Sequence, residues 1–218
     1  MARVLRLTEG EFQGLLSSIL GLVTGGTQTN QTQSGDTSTN TDNTSIGKIS
    51  AKGQELLKNP IFKKKLKEIS DAIHISENAI IKLMKHESGL DPTIKNSIGC
   101  VGLIQFCPGG GSTKTVNGKT YTLDELGKNL EAQMDAIKDF WVSGYQRGKI
   151  KRPEDLYIYN FFPVAAGKPD DFVLQAKGLS ATTVAKANPV FNKKLGKPIS
   201  SPLTVGDLKQ YYRQTGMV

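Results

Sequence analysis

With 218 residues, 37% of them apolar and 22% charged, the chain has material for one ordinary domain and a tail. No run approaches the roughly 18 apolar residues of a membrane span, two cysteines make no disulfide framework, and two histidines, His74 and His86, make no multi-histidine metal centre. The net charge of +8 is uneven: residues 1–50 hold three Lys/Arg against four Asp/Glu, leaving 25 against 16 in the rest, an excess that favours an anionic partner such as cell wall, nucleic acid or a membrane surface.

The chain opens with MARVLRLTEGEFQGLLSSILGLV. Arg3 and Arg6 ahead of the apolar residues 15–23 suggest a signal peptide. Against this, Glu9 and Glu11 interrupt the approach, the apolar stretch holds two serines and a glycine, and no A-x-A-like site follows. The pattern reads better as an amphipathic helix, with Thr8 as N-cap and Glu11 as its capping-box partner. Phe12, Leu15, Leu16, Ile19 and Leu22 or Val23 then form one apolar stripe. Such a helix has no core of its own, so residues 1–23 are expected to anchor the chain to a partner protein. Residues 24–47 form a Ser/Thr/Asn/Gln-rich stretch with almost no apolar surface to offset its ordering entropy, and a flexible linker is expected there.

Residues 48–218 read as a mainly helical domain with a small β element. Phe62, Leu66, Ile69 and Ile73 line one face of a helix that begins near Pro60. Ser76 caps a second through about Ser88, with Glu77 in its first turn. A short helix is expected over residues 101–106, stopped by Pro108 and the glycines at 109–111. Asn117-Gly118 between β-prone flanks predicts a hairpin. Thr122 and Glu125 make a capping box for a long helix with Leu126, Leu130, Met134, Ile137 and Trp141 on one stripe. Pro153 opens another helix through Tyr157 and Tyr159, and Thr204 caps a last one toward Tyr212.

One residue breaks this apolar logic. Ile80, Leu83 and Met84 form the buried face of the Ser76 helix, and the next member of that face is Glu87. Partial burial would raise its pKa by desolvation, as a general acid working near neutrality requires. Around it, Glu87-Ser88-Gly89-Leu90-Asp91-Pro92 is followed by Gly99-Cys100-Val101-Gly102-Leu103-Ile104-Gln105-Phe106. This pair of motifs, in this order and spacing, resembles the lytic transglycosylase domain of the goose-type lysozyme superfamily (E-S-G-hydrophobic-[ND]-P, then G-x-x-G-L-[MF]-Q). The resemblance covers about residues 55–170. Tyr157-Ile158-Tyr159-Asn160 resembles the family's later Tyr-Asn motif, but Phe161-Phe162-Pro163 follows where a small residue and glycine are common. Either Tyr157 or Tyr159 could therefore face the site. The run from Phe162 to Pro169 looks like a variant found in such domains on phage structural proteins.

The resemblance implies an α+β lysozyme-like fold and a peptidoglycan glycan strand as substrate. It makes Glu87 the sole catalytic acid/base, Ser88 a hydrogen-bond partner that orients its carboxyl, and Gln105 a ligand of the sugar beside the scissile bond. Gly99 and Gly102 would let the backbone approach the glycan. Tyr159 would help hold Glu87 or the N-acetyl group, with Tyr157 and Asn160 as supporting residues. No cofactor or metal is implied, and no nucleic-acid motif accompanies the charge. Residues 188–206 contain no Asp or Glu that could hold calcium.

Other residues have plainer expectations. Asp91 reads as a turn or cap residue, and Asp124 and Glu125 belong to their own helix start, so no strong second carboxylate is apparent. On a continuous helix Cys100 and Cys107 would stand about 10 Å apart, beyond disulfide reach, and both are expected to be small buried thiols. His86 lies off the apolar stripe and is expected at the surface. Lys63-Lys64-Lys65 reads as a solvated helix face, and the glycines at 109–111 as a mobile flap over the cleft. The reading is a virion-associated lytic transglycosylase of a phage tail or baseplate, held by residues 1–23 to a tail protein and acting on the host wall. Its rivals are a hydrolytic muramidase or chitinase using the same Glu87, and a catalytically silent structural tail protein.

Overall fold

A computed structural model of the chain describes residues 49–97, 99–108 and 111–218. The expected anchoring segment 1–23, the expected linker 24–47 and the centre of the expected flap lie outside the described residues.

The described residues form nine helices and one hairpin. Ser50 caps α1 (Ala51–Leu56) by accepting from the Gly53 N–H. Asn59 caps α2 (Pro60–Ile73) through the N–H groups of Ile61 and Phe62, and the helix stops where His74 turns left-handed at φ 53°. Phe62, Leu66, Ile69 and Ile73 are buried, as their spacing predicts. Ser76 caps α3 (Glu77–Ser88), which buries Ile80, Leu83 and Met84 and ends on Gly89 in the left-handed region that glycine adopts without strain.

After an irregular stretch, β1 (Thr113–Val116) pairs antiparallel with β2 (Lys119–Thr122), Thr113 opposite Thr122 and Val116 opposite Lys119. Asn117 and Gly118 both have positive φ, 50° and 78°, which a two-residue turn of this hand demands. The Thr122–Glu125 capping box is formed. It opens only a short helix, α4 (Leu123–Lys128), before α5 (Leu130–Gln146). The single long helix read from the sequence is therefore two. At Asn129 the backbone leaves helical geometry (φ −120°, ψ 95°) and the side chain caps α5 through the Ala132 N–H. The apolar stripe survives the break, with Leu126, Met134, Ile137 and Trp141 fully buried.

Helices α6 (Pro153–Phe161), α7 (Ala181–Ala187), α8 (Pro189–Lys194) and α9 (Val205–Gln214) complete the chain. Asp155 begins α6 by accepting from the N–H groups of Lys151 and Arg152, and Thr204 with Asp207 forms a capping box on α9. The principal helix pairing is α2 along α5, tied at its edge by Lys65 to Asp135 at 2.6 Å and Lys138 to Glu68 at 3.1 Å. Lys65 is thus an ion-pair member, while Lys63 and Lys64 are exposed as expected. Helix α6 crosses between α3 and α9, and α8 packs on α9.

The expected helix over residues 101–106 does not form. Val101 and Phe106 instead exchange both backbone hydrogen bonds at 2.9 Å, and Gly102 and Gln105 adopt φ of 77° and 56°, values no right-handed helix contains. This turn also overturns the expectation of free thiols: it brings residues 100 and 107 to a Cα separation of 4.0 Å, and Cys100 and Cys107 form a disulfide. The helical distance does not apply because the chain doubles back. Among the described residues no helix is long and apolar enough to cross a membrane.

Candidate active site

Glu87 stands in the last turn of α3, four residues after the fully buried Leu83 and two residues before the chain reverses at Gly89. Helical periodicity turns its side chain inward. Burial pushes its carboxyl up from 4.5 to about 7, and a hydrogen bond from the Asn160 side chain partly opposes that by favouring the carboxylate. No acidic neighbour contributes to the shift. Glu87 is half-buried, and its carboxyl is raised by desolvation, not by a second carboxylate crowding it.

Asn160 comes from α6 and also approaches the Ile104 carbonyl, its amide 3.4 Å away. Tyr157 lies on the same face of α6, since residues three apart on a helix are neighbours. It is 2% exposed, its hydroxyl is buried without a hydrogen-bond partner, and both burial and the negative charge of Glu87 hold its phenol protonated. Residues two apart point to opposite sides, and Tyr159 accordingly faces α5. Its ring packs on Phe140 with centroids 4.8 Å apart, its edge fills the space a Cβ at Gly144 would need, and its hydroxyl accepts from Arg147. The tyrosine beside Glu87 is Tyr157; the role expected for Tyr159 does not fit its position.

Ser88 is also placed differently from the expectation. It is buried and donates to the carbonyls of Met84, at 2.8 Å, and Leu103, at 3.1 Å, pinning the Gly99–Gln105 segment to the end of α3 instead of orienting Glu87. Gln105 is half-buried on the turn beside this pin, with its amide donating to the Gly102 carbonyl at 2.9 Å. Gly99 and Gly102 have local reasons for being glycine. Both have positive φ, a Cβ on Gly99 would stand 3.2 Å from Pro108, and a Cβ on Gly102 would stand 2.5 Å from the Gln133 side chain.

Gln133 is the residue that sequence reading missed. It is fully buried on α5, accepts from the Leu103 N–H at 2.8 Å and donates to the Pro92 and Leu126 carbonyls at 2.9 and 3.1 Å. One amide thus fixes both motif segments to α4 and α5. A glutamine among Ala132, Met134, Ala136 and Ile137 is the available signal, because a buried amide must find partners. Gln133→Ala leaves the Leu103 N–H and the Pro92 carbonyl without a partner, while the Leu126 carbonyl keeps the Asn129 N–H at 3.2 Å, and the expected cost is about 2 kcal/mol or more, read as a lower midpoint in urea denaturation.

The remaining candidates have structural tasks. Asp91 accepts from the N–H and hydroxyl of Thr93, both at 2.8 Å, as a turn residue does. Asp124 pairs with Lys95 at 2.8 Å, and Glu125 closes its capping box. His86 is half-buried, not exposed; it does leave the apolar stripe, but burial lowers its pKa. A separate recess of about 650 Å³ between α1, α2 and the start of α5, bordered by Leu56, Asn59, Pro92 and Leu130, shares no residue with the Glu87 cluster. Among the described residues no group of His, Cys, Asp or Glu could hold a metal ion.

Comparison with protein families, curated proteins and solved structures finds no match to this chain.

Proposed function

We propose that the chain is a lysozyme-like peptidoglycan lytic transglycosylase. The observation that carries this reading is a half-buried glutamate, its carboxyl pushed up to about 7 by desolvation, where three motif segments converge and, among the described residues, no second carboxylate contributes. Neutral Glu87 protonates the glycosidic oxygen as C1 gains oxocarbenium character. The resulting carboxylate then removes the proton from the muramoyl C6 hydroxyl, which attacks C1 and closes a 1,6-anhydro ring. The proton lent in the first step is recovered in the second, so one residue near 7 serves both. Asn160 steadies the carboxylate and Tyr157 forms the dry wall beside it. Gln105, on the turn held by Ser88 and Gln133, is the residue offered to the neighbouring sugar.

The Cys100–Cys107 disulfide fits a protein that works outside a reducing cytoplasm. Delivery by a phage tail or baseplate, with residues 1–23 held by a tail protein and the linker granting reach, is the setting we infer from the sequence resemblance.

The test is mass spectrometry of peptidoglycan digested with the full chain beside a Glu87→Gln control. Products ending in 1,6-anhydromuramic acid, absent from the control, are expected. Reducing-end products would make the protein a hydrolase using the same acid, and no products from several wall types would return it to a structural role.

A further inference from the structure

The surroundings of Glu87 extend beyond the residues that carry the family resemblance. That stretch ends near residue 170, yet the wall behind Tyr157 is built from the last helices of the chain. Tyr212 of α9 is 3% exposed and lies against Tyr157 with ring centroids 4.8 Å apart and planes tilted by 39°. Phe191 of α8 meets the edges of Tyr211 at 4.6 Å and Tyr212 at 6.4 Å, and Phe161 of α6 lies 5.2 Å from Phe191. These rings form one continuous apolar layer across α6, α8 and α9. Its inner end is Tyr157, on the helix face that presents Asn160 to Glu87. The charge of Glu87 is felt at Tyr212 as it is at Tyr157, so both rings are within its field.

We propose that α9 is part of the catalytic site, with Tyr212 as a positioning residue that backs Tyr157 and keeps water away from the buried side of the Glu87 carboxyl. The contribution comes from the ring, not the hydroxyl. Asn160 is the hydrogen-bond partner of Glu87, and what raises the carboxyl is burial alone. The charged groups on the packed elements do not substitute for this wall. On α9, Lys209 is tied to Asp170 at 2.6 Å, Asp207 to Lys197 at 2.7 Å and Arg213 to Glu154 of α6 at 3.2 Å. Asp155 serves the start of α6, and Lys82, Lys85 and His86 on α3 itself exert no resolved effect on Glu87.

The catalytic consequence rests on the transglycosylase reading; the effect on Glu87 does not. The test is therefore direct titration of the Glu87 carboxyl by carbon-13 NMR in the full chain labelled at glutamate, with Glu87→Gln to assign the signal. Wild type should titrate near 7. Tyr212→Phe should leave the midpoint in place. Tyr212→Ser should admit water and lower it by about one unit or more, a roughly tenfold fall in the ratio of protonated to ionised carboxyl at neutral pH. Tyr212→Val, which keeps the core apolar but lacks the ring, should lower it in the same direction and serves if the serine variant does not fold. The basic limb of the pH–rate profile should move with the midpoint. A folded serine or valine variant with an unmoved midpoint overturns the proposal, as does a phenylalanine variant that shifts as far as serine. A wild-type midpoint near 7, moved by these variants in a protein that cleaves no wall polymer, would refute the transglycosylase reading and leave the role of Tyr212 standing.

Discussion

Replacing Glu87 by glutamine is expected to lower wall-polymer turnover by at least about 10³-fold and to make the protein more stable at neutral and alkaline pH. The kinetic part follows from the two proposed roles: a positioned general acid or base is worth roughly 10²–10⁴-fold, and in the proposed mechanism one carboxyl performs both. The stability part follows from the raised pKa. Unfolded, Glu87 titrates near 4.5; folded, it titrates near 7. Below 4.5 it is neutral in both states. Between the two values the folded protein alone keeps the proton, so its stability falls as pH rises. Above 7 the folded state must hold a partly desolvated carboxylate, a cost offset by the Asn160 hydrogen bond. Glutamine is neutral throughout and can still accept from Asn160. In scanning calorimetry the melting temperatures of variant and wild type should nearly coincide at about pH 4 and diverge toward about pH 8, with the variant higher. Parallel curves would mean that Glu87 is solvated and unsuited to be the acid.

Both the fold and the cluster around Glu87 were legible where the determinant is local. The stripe of Phe62, Leu66, Ile69 and Ile73, the Asn117-Gly118 turn and the Thr122–Glu125 cap each encode their element within a few residues. Glu87 was legible for the same reason, as the odd member of an apolar face. The choice between Tyr157 and Tyr159 could have been made by the same rule, because Asn160 shares a helix face with Tyr157 and not with Tyr159. The short helices α1, α7 and α8 were missed although Ser50 and Ser180 sit at two of the starts, because six or seven residues carry too little periodicity to register. The break at Asn129 was hidden by a stripe that continues across it. What no local pattern could supply are the long-range ties. Gln133 reaches Leu103 thirty positions away and Pro92 forty-one away, and Tyr212 meets Tyr157 only because α9 folds back onto α6. The disulfide belongs to the same class, since its short Cα distance exists only once the 101–106 turn is closed.

On the proposed transglycosylase reading, breaking Cys100–Cys107 is expected to weaken glycan binding more than it slows the chemistry. The bond joins residues seven apart, and in the chain-entropy account a loop of that length stabilises the folded state by about 2.5 kcal/mol. Its functional weight comes from where it acts. The inner half of the turn is secured independently: Leu103 by Gln133 and Ser88, Ile104 by Asn160. The outer half carries Gln105, a non-glycine residue held at φ 56°, and rests on the Val101–Phe106 exchange, the Gln105 bonds to the Gly102 carbonyl and the disulfide. Reduction therefore removes the covalent closure of the turn and loosens Gln105, while Glu87, Asn160 and Tyr157 keep their places. Losing one sugar hydrogen bond of roughly 1.4 kcal/mol corresponds to about tenfold in binding. A Cys100→Ala/Cys107→Ala variant, and wild type treated with dithiothreitol, should show KM raised about tenfold on a soluble glycan chain with a much smaller change in kcat. The denaturation midpoint should fall in both. An equal loss in kcat would place the disulfide's effect on Glu87 itself, and an unchanged KM would mean that the backbone exchange alone holds Gln105.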